Sequence, residues 1–182
     1  MTQPNLMSDR STRILRTAGW SIAALLLIAP AIAMKFDHTG VNWTASDFIF
    51  AGVVFALIGG LFELAARASR NISYRAAVVA AVASGFLQLW ITLAVGIIGS
   101  EDNPANWTYI AVVLTALSVS AVAIGNPRAL SRAMAVMAGL QLLFCALHLI
   151  DGHFTAVIDL FFTLLWIMSS RLFKRAADQT TG

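Results

Sequence analysis

The chain is poor in what stabilises a small secreted or soluble domain. It has one cysteine, four prolines and only 12% charged residues in 182 positions. The single thiol, Cys145, lies in an apolar run and leaves no intrachain disulfide, CxxC pair or structural zinc site. A charged fraction of 12% is about half the roughly 25% usual for soluble domains. With 59% hydrophobic residues and a mean hydropathy of +0.79, this excludes disorder, collagen and coiled coil. No P-loop, GxGxxG, HExxH or GxSxG occurs, so a soluble-type enzyme is not indicated. A solenoid period is also missing, and without a repeat between halves an inverted-repeat transporter is not expected.

What is present is a set of long apolar runs. A bilayer core about 30 Å thick needs about 20 apolar residues at about 1.5 Å per residue. Six windows meet this, some with their flanks: Ala18–Met34, Phe48–Ala66, Ala76–Gly99, Trp107–Gly125, Ala133–Ile150 and Phe154–Ser170. The runs are continuous and rich in Ala and Leu, which rules out an alternating β-barrel pattern. The expected fold class is all-α, a polytopic bundle of six transmembrane helices in three helical hairpins. Residues 1–17 and 171–182 are expected as terminal segments flanking a membrane domain over 18–170.

Charge placement orients the bundle. Arg10, Arg13 and Arg16 precede the first span, and Arg67, Arg70 and Arg75 separate the second and third. Arg128 and Arg132 separate the fourth and fifth, and Arg171, Lys174 and Arg175 follow the sixth. Only Lys35 falls opposite, with Asp37, Asp47, Glu101, Asp102, Asp151, Asp159 and the histidines His38, His148 and His153. The basic side then carries +8 and the other −5, which together give the net +3. Lys and Arg collect in cytoplasmic loops, so both termini are expected in the cytoplasm. This pattern also explains a pI near 9.6 without nucleic acid, since the basic residues sit in short juxtamembrane loops beside anionic lipid.

Trp43, Trp107 and Tyr109 fall at the expected outer interface and Trp20 and Tyr74 near the inner one, while Trp90 and Trp166 are expected to pack deeper. Ala31-Ile32-Ala33 resembles a signal-peptidase site, but the preceding apolar run of about 17 residues exceeds a usual signal core and favours a retained helix.

Several residues invite chemistry. Glu63 is expected inside the second span, with Arg67 on the same helix face at i+4. The pair reads either as a snorkelling anchor or as part of a proton or cation relay. Asp159 lies within the sixth span, where a carboxylate must face the bundle or an aqueous vestibule; Gln88 and Gln141 are plausible partners. His148, Asp151 and His153 form the best metal candidate, since imidazole with carboxylate suits Zn²⁺ or Cu²⁺; a polar turn with interfacial histidines is the favoured reading of the three. No cofactor is firmly implied. Crowded acids on the outer rim suggest weak divalent-cation binding, and haem is not expected, because only His38 could partner His148.

The outer loop from Gly99 to Asn106 holds Glu101, Asp102, Asn103 and Asn106. Asn103 precedes Pro104 and is pushed out of the α region, and Asn106 is placed to cap the fourth span. The stretch Leu93–Asn106, with Asn42-Trp43-Thr44, Asp47-Phe48, Glu63-Leu64-Ala65 and Tyr74-Arg75-Ala76, resembles a family of small bacterial multi-pass inner-membrane proteins with a VGIIGSEDNPAN signature. The resemblance covers most of residues 36–175. It implies the bacterial inner membrane and no catalytic role. The sequence thus favours an accessory subunit or scaffold presenting the acidic Glu101–Asn106 loop to a membrane-protein partner or a second copy. A small permease or proton- and cation-handling protein using Glu63 and Asp159 is the alternative. A membrane enzyme with a metal at His148, Asp151 and His153 comes third.

Overall fold

A computed structural model describes residues 8–36 and 41–180. Among these, six helices follow one another: α1 (Asp9–Ala33), α2 (Ala45–Ala68), α3 (Ile72–Ala94), α4 (Trp107–Ala123), α5 (Pro127–Ile150) and α6 (Ala156–Asp178), with a 3-10 turn at Pro104–Asn106. All six helical segments are long and apolar enough to cross a membrane, the fourth counted with its 3-10 turn. The protein is therefore an all-α polytopic bundle. The helices overrun the apolar windows, so residues 9–17 and 171–178, expected as flanking segments, are helical.

Polar residues outside the apolar runs set the helix starts. Ser8 accepts from the Ser11 amide at 3.1 Å, Asn71 from the Tyr74 amide at 3.2 Å, and Asn126 from the Ala129 amide at 3.0 Å. At α2, the Asp47 carboxylate accepts from the Thr44 amide at 2.7 Å, and Trp43 packs on Phe48 with ring centroids 5.1 Å apart. That combines half of a capping box with a hydrophobic staple.

The apolar window of α3 runs to Gly99, but the helix stops at Ala94. The cause is Gly96, whose φ of 73° is left-handed and whose amide bonds back to the Ile91 carbonyl at 3.1 Å. A Cβ there would collide with the backbone of Ser100 and Glu101. Hydropathy continues through Val95–Ile98 while the backbone turns, and Ile98 is buried beneath the loop.

The chain divides at Arg67–Ala68 into two compact units. In the first, α1 and α2 meet where Trp20 lies over Gly59, so closely that a Cβ on that glycine would overlap the indole. Glu63 on α2 pairs with Arg16 of α1 at 2.6 Å and with Arg67 at 3.0 Å.

The second unit is a four-helix bundle. α5 packs on α6, α6 on α3, α3 on α4 and α4 on α5, a closed cycle in which α3 and α6 are neighbours despite their separation in sequence. Its polarity is the reverse of a soluble domain. Phe154 and Val157 are 82% and 75% exposed, while Gln88, Gln141 and Asp159 are 0% exposed. The 95–106 and 151–155 loops, with Glu101, Asp102 and Asp151, form its acidic end; Arg128, Arg132, Arg171, Lys174 and Arg175 mark the basic end. There Tyr74 stacks edge-on against Phe173 at 5.2 Å and its hydroxyl accepts from the Gly125 amide at 3.3 Å. Tyr74 and Tyr109 are thus core residues rather than members of an interfacial belt, and Trp90, expected to pack deep, is 40% exposed.

Candidate functional site

Asp159 is three residues into α6 and enclosed by its neighbours. Thr155 and Thr163 lie one turn away on either side, on the same face. The Thr155 hydroxyl donates to Asp159 Oδ2 at 2.6 Å, and Thr163 donates to the Asp159 carbonyl at 2.8 Å. From α5, Gln141 Nε2 donates to Oδ1 at 2.7 Å, so this expected partnership forms. Gln88, the other expected partner, instead donates to the Tyr109 carbonyl at 3.4 Å.

α5 also brings Cys145 and His148. With Gln141 they fall at i, i+4 and i+7, one inward stripe of the helix. His148 is 3% exposed and points into the bundle. Its Nε2 lies 3.0 Å from the Thr108 hydroxyl. That hydroxyl has one proton and gives it to the Ala105 carbonyl at 2.7 Å, so Nε2 must be the donor toward Thr108. The neutral ring then presents the lone pair of Nδ1. Facing Nδ1 are the Tyr109 hydroxyl at 3.4 Å, Thr155 Oγ1 at 3.5 Å and Asp159 Oδ2 at 3.7 Å. The Thr155 proton is committed to Oδ2. Nδ1 and Oδ2 are then two acceptors facing one another, and the Tyr109 hydroxyl is the neighbour able to donate to Nδ1. Phe144 stacks on the imidazole with centroids 6.2 Å apart. The arrangement is a desolvated cluster of a carboxylate, an imidazole and hydroxyls, held by α4, α5 and α6.

The bundle interior carries a second polar feature. Ser84, Gln88 and Thr92 follow each other at i, i+4 and i+8 on α3, and all are buried. The atoms Ser84 Oγ, Gln88 Oε1, Thr92 Oγ1, Gln141 Oε1 and Trp166 Nε1 are enclosed without a hydrogen-bond partner among the described residues. An unmet buried polar atom costs about 1–3 kcal/mol. Five of them rival the roughly 5–15 kcal/mol stability of a whole domain.

The other expected site residues fall elsewhere. His148 turns away from Asp151, which is exposed, and His153 is half-buried in the turn between α5 and α6. Among the described residues, no three His, Cys, Asp or Glu side chains are grouped to hold a metal, so His148, Asp151 and His153 do not make the expected triad. The reason is helical phase: the inward face of α5 carries His148, whereas Asp151 starts the turn. Asp37 and His38 lie outside the described residues. Glu63 makes the expected pair with Arg67; Arg16 is the partner that sequence spacing could not reveal.

In the loop between α3 and α4, Glu101 and Asp102 are exposed, and Asn103 is extended before Pro104, as expected, accepting from the Ala105 amide at 3.0 Å. Asn106 differs from expectation. It stands at the start of α4 but does not cap it. Its Oδ1 accepts from the Ile97 and Ile98 amides at 3.0 and 2.9 Å, and its Nδ2 donates to the Ile98 and Ser100 carbonyls at 3.2 and 2.8 Å. The side chain braces the loop across its own turn.

Comparison of the chain with protein-family profiles, curated proteins and solved structures finds no match.

Proposed function

We propose that this multi-pass protein takes up and releases a proton at the His148–Asp159 pair, coupling it to movement of an ion or small solute across the bacterial inner membrane. One observation carries the reading: a fully enclosed carboxylate whose Oδ2 faces Nδ1 of an imidazole across 3.7 Å. An ionisable side chain within a membrane span is costly and is a functional-site hypothesis by default. The titratable groups around it are Tyr109 from α4, Cys145 and His148 from α5, and Asp159 from α6. By the distribution of Arg and Lys, the basic end and both termini are assigned to the cytoplasm.

Infrared difference spectra recorded as pH is lowered test the proposal. A band from a protonated carboxylic acid is expected in the wild type, displaced in His148→Gln and missing in Asp159→Asn. If no band sensitive to Asp159→Asn appears while the protein stays folded, there is no proton site.

A second reading, an accessory subunit or scaffold, draws on the Asn106 brace, which holds Glu101 and Asp102 on a fixed outer surface. On that reading Asp159→Asn leaves the protein's activity intact in its host.

A further inference from the structure

The polar stripe of α3 lies outside the proton pair, and its placement can be worked out from one hydrogen bond. Ser169 of α6 donates to the Ala77 carbonyl of α3 at 2.8 Å, and the two helices run antiparallel. Counting outward from that contact at about 1.5 Å per residue puts Trp166 level with Ala80, one turn short of Ser84. Asp159 comes level with Leu87 and Gln88, and Thr155 with Ile91 and Thr92. The orphaned atoms of Thr92, Gln88, Ser84 and Trp166 therefore form a file. It spans about 18 Å of helix, from Thr92 past the proton pair at Gln88 to Trp166, which lies about 10 Å from Asp159 toward the basic end.

The chemistry of these atoms identifies the occupant. Gln88 Oε1 and Gln141 Oε1 can only accept, whereas Trp166 Nε1–H can only donate. A metal cation would satisfy the oxygens and be repelled by the indole N–H. An apolar molecule would satisfy none of them. Water donates and accepts in the same place. At one buried water per about 27 residues, a unit of this size holds roughly four, comparable to the five orphaned atoms. Beyond Trp166 the buried residues toward the basic end are mostly apolar, Leu130, Met134 and Phe173 among them, and the buried polar side chains there, Ser169 and Asn71, are already hydrogen-bonded to Ala77 and Gln179, so this end offers water little.

We infer that Thr92, Gln88, Ser84, Trp166 and Gln141 hold a file of internal water that joins the Asp159 pair to mid-membrane and ends there. The file is one half of a proton path: once α3 and α6 part at Trp166 and admit bulk water, an excess proton hops along the hydrogen-bonded water to Asp159 Oδ2 or His148 Nδ1, with no net chemistry. Its role as a proton route rests on the proton-pair reading, but its presence does not. A path sealed at Trp166 passes a proton fully across only if α3 and α6 shift relative to each other.

Nuclear magnetic resonance on the full chain in nanodiscs, labelled with ¹⁵N at tryptophan, tests the inference. The Trp166 indole signal is assigned by its loss in Trp166→Phe. The wild-type Trp166 Nε1–H is expected to show direct cross-relaxation with water and to exchange in D₂O. Ser84→Val with Gln88→Leu should remove the cross-peak, and the milder Ser84→Ala should slow exchange by about tenfold, the equivalent of one lost hydrogen bond. A wild-type indole with no water cross-peak overturns the file, as does a cross-peak unchanged in both folded variants. The two proposals separate cleanly: an Asp159 infrared band with a dry Trp166 sinks the water file alone, whereas a wet Trp166 without that band sinks the proton pair alone.

Discussion

Thr155→Val is the sharpest perturbation of the buried carboxylate. Valine keeps the shape of threonine and replaces one hydroxyl by a methyl, so packing around His148 and Asp159 changes little. What is lost is the 2.6 Å bond to Asp159 Oδ2. A hydrogen bond to a charged group contributes about 1.5–3 kcal/mol, and at 5% exposure Thr155 leaves bulk solvent little access to replace the lost donor. A hydrogen bond between neutral groups contributes less, about 0.5–1.5 kcal/mol. The two figures give a control. Thr163→Val, two turns along α6, removes a 2.8 Å bond to a backbone carbonyl and should cost near the lower figure. Unfolding in mixed micelles, measured for both variants and for each combined with Asp159→Asn, yields the coupling energy. We expect Thr155→Val to cost at least about 1.5 kcal/mol, and less once Asp159 is asparagine. Equal costs for the two threonines, or no coupling between Thr155 and Asp159, would refute an enclosed carboxylate that depends on this hydroxyl.

Asn106→Leu removes four loop hydrogen bonds and should destabilise by about 2–4 kcal/mol, with faster hydrogen exchange at Ile97 and Ile98. Asn106→Asp keeps the acceptor for both amides, so their exchange should remain slow; equal acceleration in both variants would show that the brace does not hold the loop. For orientation, a cysteine placed at Gly152 should react with an impermeant maleimide from outside intact cells, and one at Arg128 only after lysis. The reverse pattern would invert the assignment of the basic end.

The spans were legible because hydropathy and charge both vary over whole helices. The end of α3 was not, because Val95–Ile98 stay apolar while Gly96 reverses the backbone, and one left-handed residue leaves almost no mark on a window average. Proximity in sequence grouped His148 with Asp151 and His153. The helical period instead groups it with Cys145 and Gln141, and that phase could have been read. Thr155, Asp159 and Thr163 repeat every fourth residue, as do Ser84, Gln88 and Thr92, so a polar stripe inside each of these two apolar spans was the available signal for Thr155, Thr163, Ser84 and Thr92. Thr108 and Tyr109 gave no such sign. Their place beside His148 depends on how α4 meets α5, which is a tertiary fact, and the same holds for Arg16 against Glu63.

The closed cycle of α3, α4, α5 and α6 also imposes an order on biosynthesis. Three of its four seams join helices made consecutively, but the α3–α6 seam can form only after the sixth helix has entered the membrane. Until then Ser84, Gln88 and Thr92 line a groove open on one side, and α3 must wait in the bilayer with a polar stripe uncovered. The last helix to arrive carries Asp159 and cannot leave that carboxylate in lipid. The late partner thus completes both polar surfaces at once. A chain stopped before residue 156 would leave the polar stripe of α3 without its α6 partner.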